Sequence, residues 1–538
     1  MASVARVAPA ALKQWLHDGA EIALLDVREQ GEYGESHLFY GVSLPYSRLE
    51  IDIARLAPRA GVRLVLYNEG PDGTLAWRAG RRLLALGYTA VHVLDGGVAG
   101  WRAAGYACFA GVNVPSKTFG ELAEHVYRTP RISAEALAAK LAAGENLVVL
   151  DGRPFAEFQK MNIPEAICCP NGELALRVRE LAPDPATAIV INCAGRTRSI
   201  IGAQTLINLG IPNPVYALEN GTQGWYLAGL ALEHGTARRY AAAPPAAAMP
   251  ALRQQARRMA ERAGAPAVDA AQVQAWLRDT ARTTFLCDVR TAEEFETGSL
   301  EGARHTPGGQ LIQATDQYVG VRGARLVLCD GEGVRAPAVA SWLRQMGWEA
   351  YMLDEGGARV SKPRAGAACA HKEGAATLTP PQRQAPALIA SAALADAMRQ
   401  GAVLIDVRAS GSFRAAHIDG ARWAIRPMLP DLPLAADARI VLLTDDMAVA
   451  RLAMQELGER GLADIRINAD TPAQWRGAGL ELAHTPHEPP DSACIDFLFF
   501  VHDRHSGNAA AARQYLAWEI GLLDQIDEQE RASFRFPH

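Results

Sequence analysis

One local pattern recurs four times along the chain, and a repeat of this kind narrows the fold before any other feature is weighed. A short apolar run ends in Asp-x-Arg at Asp26/Arg28, Asp151/Arg153, Asp288/Arg290 and Asp406/Arg408. An aromatic residue follows each Asp by seven positions, as Tyr33, Phe158, Phe295 and Phe413. A second apolar run then reads RLVLY, AIVIN, RLVLC and RIVLL, the signature of a buried parallel strand. The residue after that run is Asn68, Cys193, Asp330 or Thr444, at 42, 42, 42 and 38 residues from the motif Asp, so the four positions are equivalent. Helical patterns such as RSIIGAQTLINLGI and a third strand-like run (AVHVLDGG, PVYALENG, EAYMLDEGG, DIRINAD) complete each copy. Trp101, Trp225 and Trp475 close three of them; the third copy lacks the Trp.

Strands alternating with helices predict an α/β fold of four tandem domains, each a parallel sheet flanked by helices with its ligand site at the carboxyl ends of the strands. The repeats are expected at 1–112, 131–236, 269–360 and 387–485, with a connecting segment at 113–130. Ala/Pro/Gly-rich stretches at 237–268 and 361–386 read as linkers, the first with room for a short helix. A C-terminal extension, 486–538, lies beyond the last repeat. The length of 538 residues suits three or four domains, each large enough to bury a core.

Composition removes several function classes. With 49% hydrophobic and 21% charged residues the chain is of ordinary globular type, not disordered or collagenous. Its 54 Lys+Arg against 59 Asp+Glu, without a long basic run, leave no electrostatic footprint for nucleic acid or an anionic membrane. Eight scattered cysteines without CxxC spacing point away from a disulfide framework or zinc and toward a reducing compartment. The opening MASVARVAPAALKQWL is interrupted by Lys13 and Gln14, and no run of 18 apolar residues occurs, so a cytoplasmic protein is expected.

Of the four equivalent positions only one holds a ready nucleophile, Cys193. The string CAGRTRS places its thiol after a buried strand, at a loop that uses Gly195 for a tight path and then starts a helix. Loop amides, the positive helix end and the guanidinium groups of Arg196 and Arg198 all favour the thiolate there. Most free cysteines are merely small buried hydrophobes. Composition alone gives about 0.07 accidental Cys-x-Gly-x-x-Arg matches, so it is the added strand, helix and fixed register that mark this cysteine as functional.

The Asp-x-Arg motif, the aromatic after it, the Cys193 loop and the closing Gly and Trp together resemble the rhodanese family of sulfurtransferases. The resemblance covers all but the linkers and tail, as four tandem rhodanese-like domains, and the layout resembles four-domain bacterial thiosulfate sulfurtransferases. It implies that Cys193 takes a sulfane sulfur from a donor, holds it as a persulfide and passes it to a thiol or cyanide acceptor. It further implies that Ala194, Gly195, Arg196, Thr197 and Arg198 form the anion-cradling loop, with no metal or organic cofactor. Such a two-step transfer predicts ping-pong kinetics. Arg153 is a secondary candidate for the site, but its pair with Asp151 recurs in the copies without a cysteine, which favours a structural role.

Departures from the family pattern carry further expectations. Asn68, Asp330 and Thr444 cannot form a persulfide, so three noncatalytic copies are expected, with Cys329 pointing back into the core. The mercaptopyruvate branch usually has an uncharged loop and an Arg on the first motif. Here the loop is basic and Glu157 takes the Arg position, so thiosulfate is the preferred donor, with mercaptopyruvate-type donor use an alternative. Rhodanese-fold phosphatases carry Arg six positions after Cys, where this chain has Ser199, and that reading is set aside. Another alternative is a persulfide carrier or relay scaffold that serves a protein acceptor. Lys117 reads as a surface lysine more readily than as a donor-binding group, and Cys168 and Cys169 as buried residues rather than resolving thiols. His502 and His505 lack a third metal ligand. The apolar DFLFF segment suits docking on a domain or against a partner chain; the oligomeric state is left open.

Overall fold

The computed structural model describes residues 3–70, 73–241, 246–354, 360–361, 386–499 and 508–537. Four five-stranded sheets follow one another along the chain, and each has the same order. In the first, counting from one edge, Ala5–Val7 pairs with Val91–Leu94, then come Arg63–Tyr67, Ile22–Asp26 and Val42–Ser43. Every neighbouring pair in it is parallel. The second sheet repeats this with Leu147–Asp151 beside Ala188–Asn192, the third with Thr284–Asp288 beside Arg325–Cys329, and the fourth with Val403–Asp406 beside Ile440–Leu443. These central strands are almost wholly buried because helices cover both faces, the reason their sequences run apolar without alternation.

Register confirms the equivalence of the four positions. Asp26, Asp151, Asp288 and Asp406 lie opposite Tyr67, Asn192, Cys329 and Leu443, so the next residue in each case is the one read as equivalent from the spacing. Each motif Asp is fully buried or nearly so and accepts a hydrogen bond from the Nε of its Arg at 2.9–3.0 Å. The same guanidinium also donates to a carbonyl eight residues further on, at Ser36, Met161, Gly298 and Ala416. The Asp-x-Arg motif is therefore a clasp between the end of a central strand and the end of the helix that follows. In the second repeat, removing Asp151 would leave Arg153 buried without its carboxylate, a loss of about 3–5 kcal/mol.

One continuous core runs through the first three repeats, from Ala23 to Met352, while the fourth has a core of its own around Ile405, Leu442 and Ile467. The stretch expected as a linker after residue 237 is more structured than its composition implied. It contains the helix Met249–Arg262, which buries Leu252, Ala256, Met259 and Ala260 against the helix Arg335–Gln345, and the third sheet already begins at Ala267. Small side chains that read as linker composition are what a close helix contact requires. Most of the second expected linker lies outside the described residues.

Contacts run between the first and third repeats, at Leu56 with Gly320 and at Glu21 with Thr283, as well as at two further interfaces. The second and third meet where Gly172 and Gly309 come together, a place with no room for a Cβ on either, and where the buried Arg335 reaches Glu173 at 2.7 Å. The first and fourth meet through Arg426, wholly buried between Glu50 and Glu456. The C-terminal extension closes over this assembly. Leu498 of the DFLFF segment is buried against Gly34, and Asp496 accepts from the Ser410 amide, so the segment docks between the first and fourth repeats. Phe534 and Phe536 pack on Phe119, and Lys13 pairs with Asp527 and Glu530.

Candidate active site

Cys193 follows the buried strand Ala188–Asn192, and the helix Thr197–Leu209 starts four residues later, so the thiol sits at the positive end of a 13-residue helix. Its carbonyl accepts from Thr222 N at 2.8 Å, and this approach requires Gly221, whose φ is +55° and whose Cβ would collide with that oxygen. The residue is 1% exposed, and its Sγ lies 3.6 Å from Ser199 Oγ. It opens onto a cavity of about 440 Å3, within the range of sites for small molecules.

All the predicted loop residues, Ala194, Gly195, Arg196, Thr197 and Arg198, line this cavity with Cys193, and so does Arg153. Arg153 does so from within its clasp to Asp151, so the structural role favoured from the repeat holds while the side chain still contributes to the wall. Gly195 is needed for a reason other than a tight turn. Its φ is not positive; a Cβ there would stand 2.8 Å from Glu519 Oε2.

The two loop arginines are not the bare cationic pair that the sequence implied. Arg196 is bound by Glu121 at 2.8 Å and Glu124 at 2.5 Å, both on the helix Val114–Tyr127. Arg198 is bound by Glu157 at 2.9–3.0 Å. Burial works against the Arg198 charge, yet the Glu157 carboxylate and the nearby Cys193 more than offset it and hold the guanidinium charged. Lys117, expected on the surface, is buried at 4% exposure. Its ammonium meets Glu519 at 2.6 Å and the Tyr515 hydroxyl, because the helix Ala509–Gly521 from the C-terminal extension lies across it. Local sequence carries no trace of a partner about 400 positions away.

Cys168 and Cys169 are buried, as expected; burial pushes the Cys168 thiol up to about 12 and the Cys169 thiol well above its usual range. Neither is suited to resolve a persulfide on Cys193 into a disulfide. Cys329 turns into the core, its Sγ 3.5 Å from the Cys287 carbonyl. His502 and His505 lie outside the described residues.

The other three equivalent positions hold side chains of different chemistry. Thr444 is buried and accepts from the Asp446 amide at 3.0 Å. The Asn68 carbonyl accepts from Val98 N at 2.9 Å, the same bond that the Cys193 carbonyl takes from Thr222 N, with Gly97 standing where Gly221 does. Asp330 is the informative one, because its loop has the length of the Cys193 loop and ends in Arg335, paired with Glu294 as Arg198 is with Glu157. The Asp330 carboxylate accepts from the amides of Gly333, Val334 and Ala336 at 2.8, 2.8 and 2.9 Å. The third-repeat loop thus holds its own carboxylate, and it does so with Gly331 and Gly333 left-handed, at φ +75° and +74°, whereas Arg196, in the place of Gly333, has a φ of −115°. The positions of the three amides are taken in the second repeat by Arg196, Thr197 and Ser199.

Sequence reasoning did not find the third repeat's contribution to the cavity, from Gln310, Gln313, Ala314 and Gln317, or that of Tyr515 and Glu519. No motif marks them; they arrive by packing between repeats and from the tail. Among the described residues no helix is long and apolar enough to cross a membrane.

The geometry sits within a wider set of relatives. A rhodanese-like domain model matches residues 8–104, 133–228 and 269–361, more than half of the chain. The crystal structure of a thiosulfate sulfurtransferase from Pseudomonas aeruginosa is 41% identical, covers 99% of this chain and 100% of its own, and superposes with a TM-score of 0.88. A candidate sulfur carrier protein, YrkF, of Bacillus subtilis (strain 168) is 31% identical over 102 residues; that match takes in 19% of this chain and about half, 54%, of the relative. The fourth repeat lies outside the matched residues but has the same strand order and the same Asp406–Arg408 clasp. The chain belongs to the rhodanese family of sulfurtransferases and builds that family's α/β fold four times over.

Proposed function

We propose that the protein is a thiosulfate sulfurtransferase with one active site, at Cys193. The observation that carries this reading is the cavity over Cys193, which lies between the end of a buried strand and the start of a 13-residue helix and is lined by Arg153, Lys160 and Arg198. The Cys193 thiolate attacks the sulfane sulfur of thiosulfate. A bond forms between Sγ and that sulfur, the sulfur–sulfur bond of the donor breaks, and its electron pair leaves with sulfite. The helix N-terminus, with the Ser199 hydroxyl 3.6 Å from Sγ, stabilises the persulfide anion. Arg198, Arg153 and Lys160 line the path of the departing dianion. An acceptor thiolate or cyanide then attacks the outer sulfur, takes it as a persulfide or thiocyanate, and returns Cys193 as thiolate. No net oxidant is required, and the two half-reactions make the kinetics ping-pong. The 41% identity to the Pseudomonas aeruginosa enzyme over the whole chain supports the donor.

The test is intact-protein mass after mixing with thiosulfate under nonreducing conditions. Wild type is expected to gain one sulfur and Cys193→Ser none, with Cys193→Ser also inactive in turnover. An active Cys193→Ser variant, or no gain in wild type, would overturn the reading.

A further inference from the structure

The second repeat supplies only part of the chamber around its own cysteine. Lys117 comes from the connecting helix, Gln310 and Gln313 from the third repeat, and Tyr515 and Glu519 from the C-terminal helix. Among the lining residues, Lys160 and Gln317 are exposed and mark the side open to solvent, whereas Lys117, Tyr515 and Glu519 are buried. The C-terminal helix is fastened there. Glu519, 1% exposed, holds Lys117 at 2.6 Å and lies 3.5 Å from Thr197 Oγ1. The Lys117 ammonium lies over the rings of Tyr515 and Trp518, 4.9 and 5.4 Å from their centroids. At Gly195 there is no room for a Cβ between the cysteine loop and Glu519 of this helix.

We propose that the C-terminal helix and the third repeat form a roof that selects the sulfur acceptor by size, admitting low-molecular-weight thiols and excluding cysteines carried on folded proteins. The inference rests on Cys193 being the sulfur-bearing residue. A cysteine side chain projects its sulfur only a bond or two beyond its own backbone. A folded partner would therefore have to bring main chain into a cavity of about 440 Å3 whose thiol is 1% exposed. A folded partner needing more room than the open side by Lys160 and Gln317 offers would have to lift the helix and separate a buried ion pair, which is costly because each charge would be left without its partner. A small peptide thiol needs no such movement.

Two measurements on the full-length protein keep this proposal apart from the reading beneath it. In the first, protein loaded with thiosulfate and freed of donor is mixed with a tripeptide thiol or with reduced thioredoxin as a globular probe. Each rate is divided by that thiol's rate with a small-molecule persulfide. The normalised discharge is expected to be about 100-fold faster to the peptide; equal rates overturn the roof. In the second, resting Cys193 is challenged with a small aromatic disulfide or with a globular protein carrying one thionitrobenzoate group, and its modification is located by peptide mass. This arm needs no sulfur loading, so failure of thiosulfate to load Cys193 sinks the proposed function while the roof is still judged. Reaction with the small reagent alone is expected; similar rates with both overturn the proposal. In Lys117→Met/Glu519→Ala the ratio of bulky to small reagent is expected to rise about 10-fold. An unchanged ratio in a folded variant counts against the latch, and if circular dichroism shows that the variant does not fold, the wild-type arms decide.

Discussion

Replacing Arg198 by Met tests the electrostatics of the cavity directly. The guanidinium and Glu157 form a pair at 2.9–3.0 Å beside Cys193, so together they add little net charge to the chamber. Arg198→Met keeps much of the side-chain volume but strips the positive member and leaves the Glu157 carboxylate facing the incoming donor. A unit charge about 5 Å from a reacting anion, at an effective dielectric near 20, is worth about 3 kcal/mol. Glu157 is 39% exposed and Arg198 12%, so solvent screening reduces this to about half. With thiosulfate carrying two charges, about 3 kcal/mol of transition-state stabilisation is at stake, or about 100-fold in kcat/KM. Steady-state kinetics with thiosulfate varied at several fixed acceptor concentrations give this value separately from that of the acceptor. The double variant Arg198→Met/Glu157→Gln, which removes both charges, is expected to recover about 10-fold of the loss. A single variant within threefold of wild type, or a double variant no better than the single, would refute the argument.

Other outcomes follow from the same geometry. Asp151→Ala leaves the Arg153 guanidinium buried without its carboxylate and is expected to lower stability by about 3–5 kcal/mol, read as the shift in denaturant midpoint; a shift below about 1 kcal/mol would remove the clasp from the argument. Gly195→Ala brings a methyl to 2.8 Å from Glu519 Oε2 and is expected to slow sulfur loading, seen by intact mass, while far-ultraviolet circular dichroism stays at the wild-type signal. Asn68→Ala and Thr444→Ala are expected to leave turnover within twofold of wild type. Burial, reinforced by Asp330, pushes the Glu332 carboxyl from 4.5 up to about 8. Its folded-state value lies above the unfolded one, so the unfolded chain releases this proton first, and stability from Glu332 is lost as pH rises from about 4.5 to about 8. The melting temperature of Glu332→Gln relative to wild type is therefore expected to climb across that window; a constant difference would contradict the assignment.

Much of the fold was legible because its signals are local. Buried parallel strands have to be apolar throughout, the Asp-x-Arg clasp needs both charges at fixed spacing, and a loop between a strand and a helix leaves the residue after the strand in a constant register. Those three features located Cys193 and its three counterparts. What escaped was set by distant partners. Lys117 looked like a solvated lysine because nothing near it in sequence announces Glu519, and Arg196 and Arg198 looked unneutralised because Glu121, Glu124 and Glu157 approach from other elements. The stretch 237–268 looked like a linker because alanine serves both flexible chain and tight helix packing. Gln310 and Gln313 have no motif at all; their position follows from how the second and third repeats face each other.

The Asp330 carboxylate, held on the amides of Gly333, Val334 and Ala336, makes the third repeat its own permanent occupant. A free loop of this kind gains stability in proportion to the logarithm of ligand concentration, since anything that binds the folded state alone draws the equilibrium toward it. A tethered ligand has no such dependence. The third repeat is therefore equally ordered whether donor is abundant or scarce, and it presents Gln310 and Gln313 to the neighbouring chamber from a surface that mass action does not touch. The third-repeat loop thus keeps its occupant whatever the medium contains, while the Cys193 loop carries no such side chain of its own.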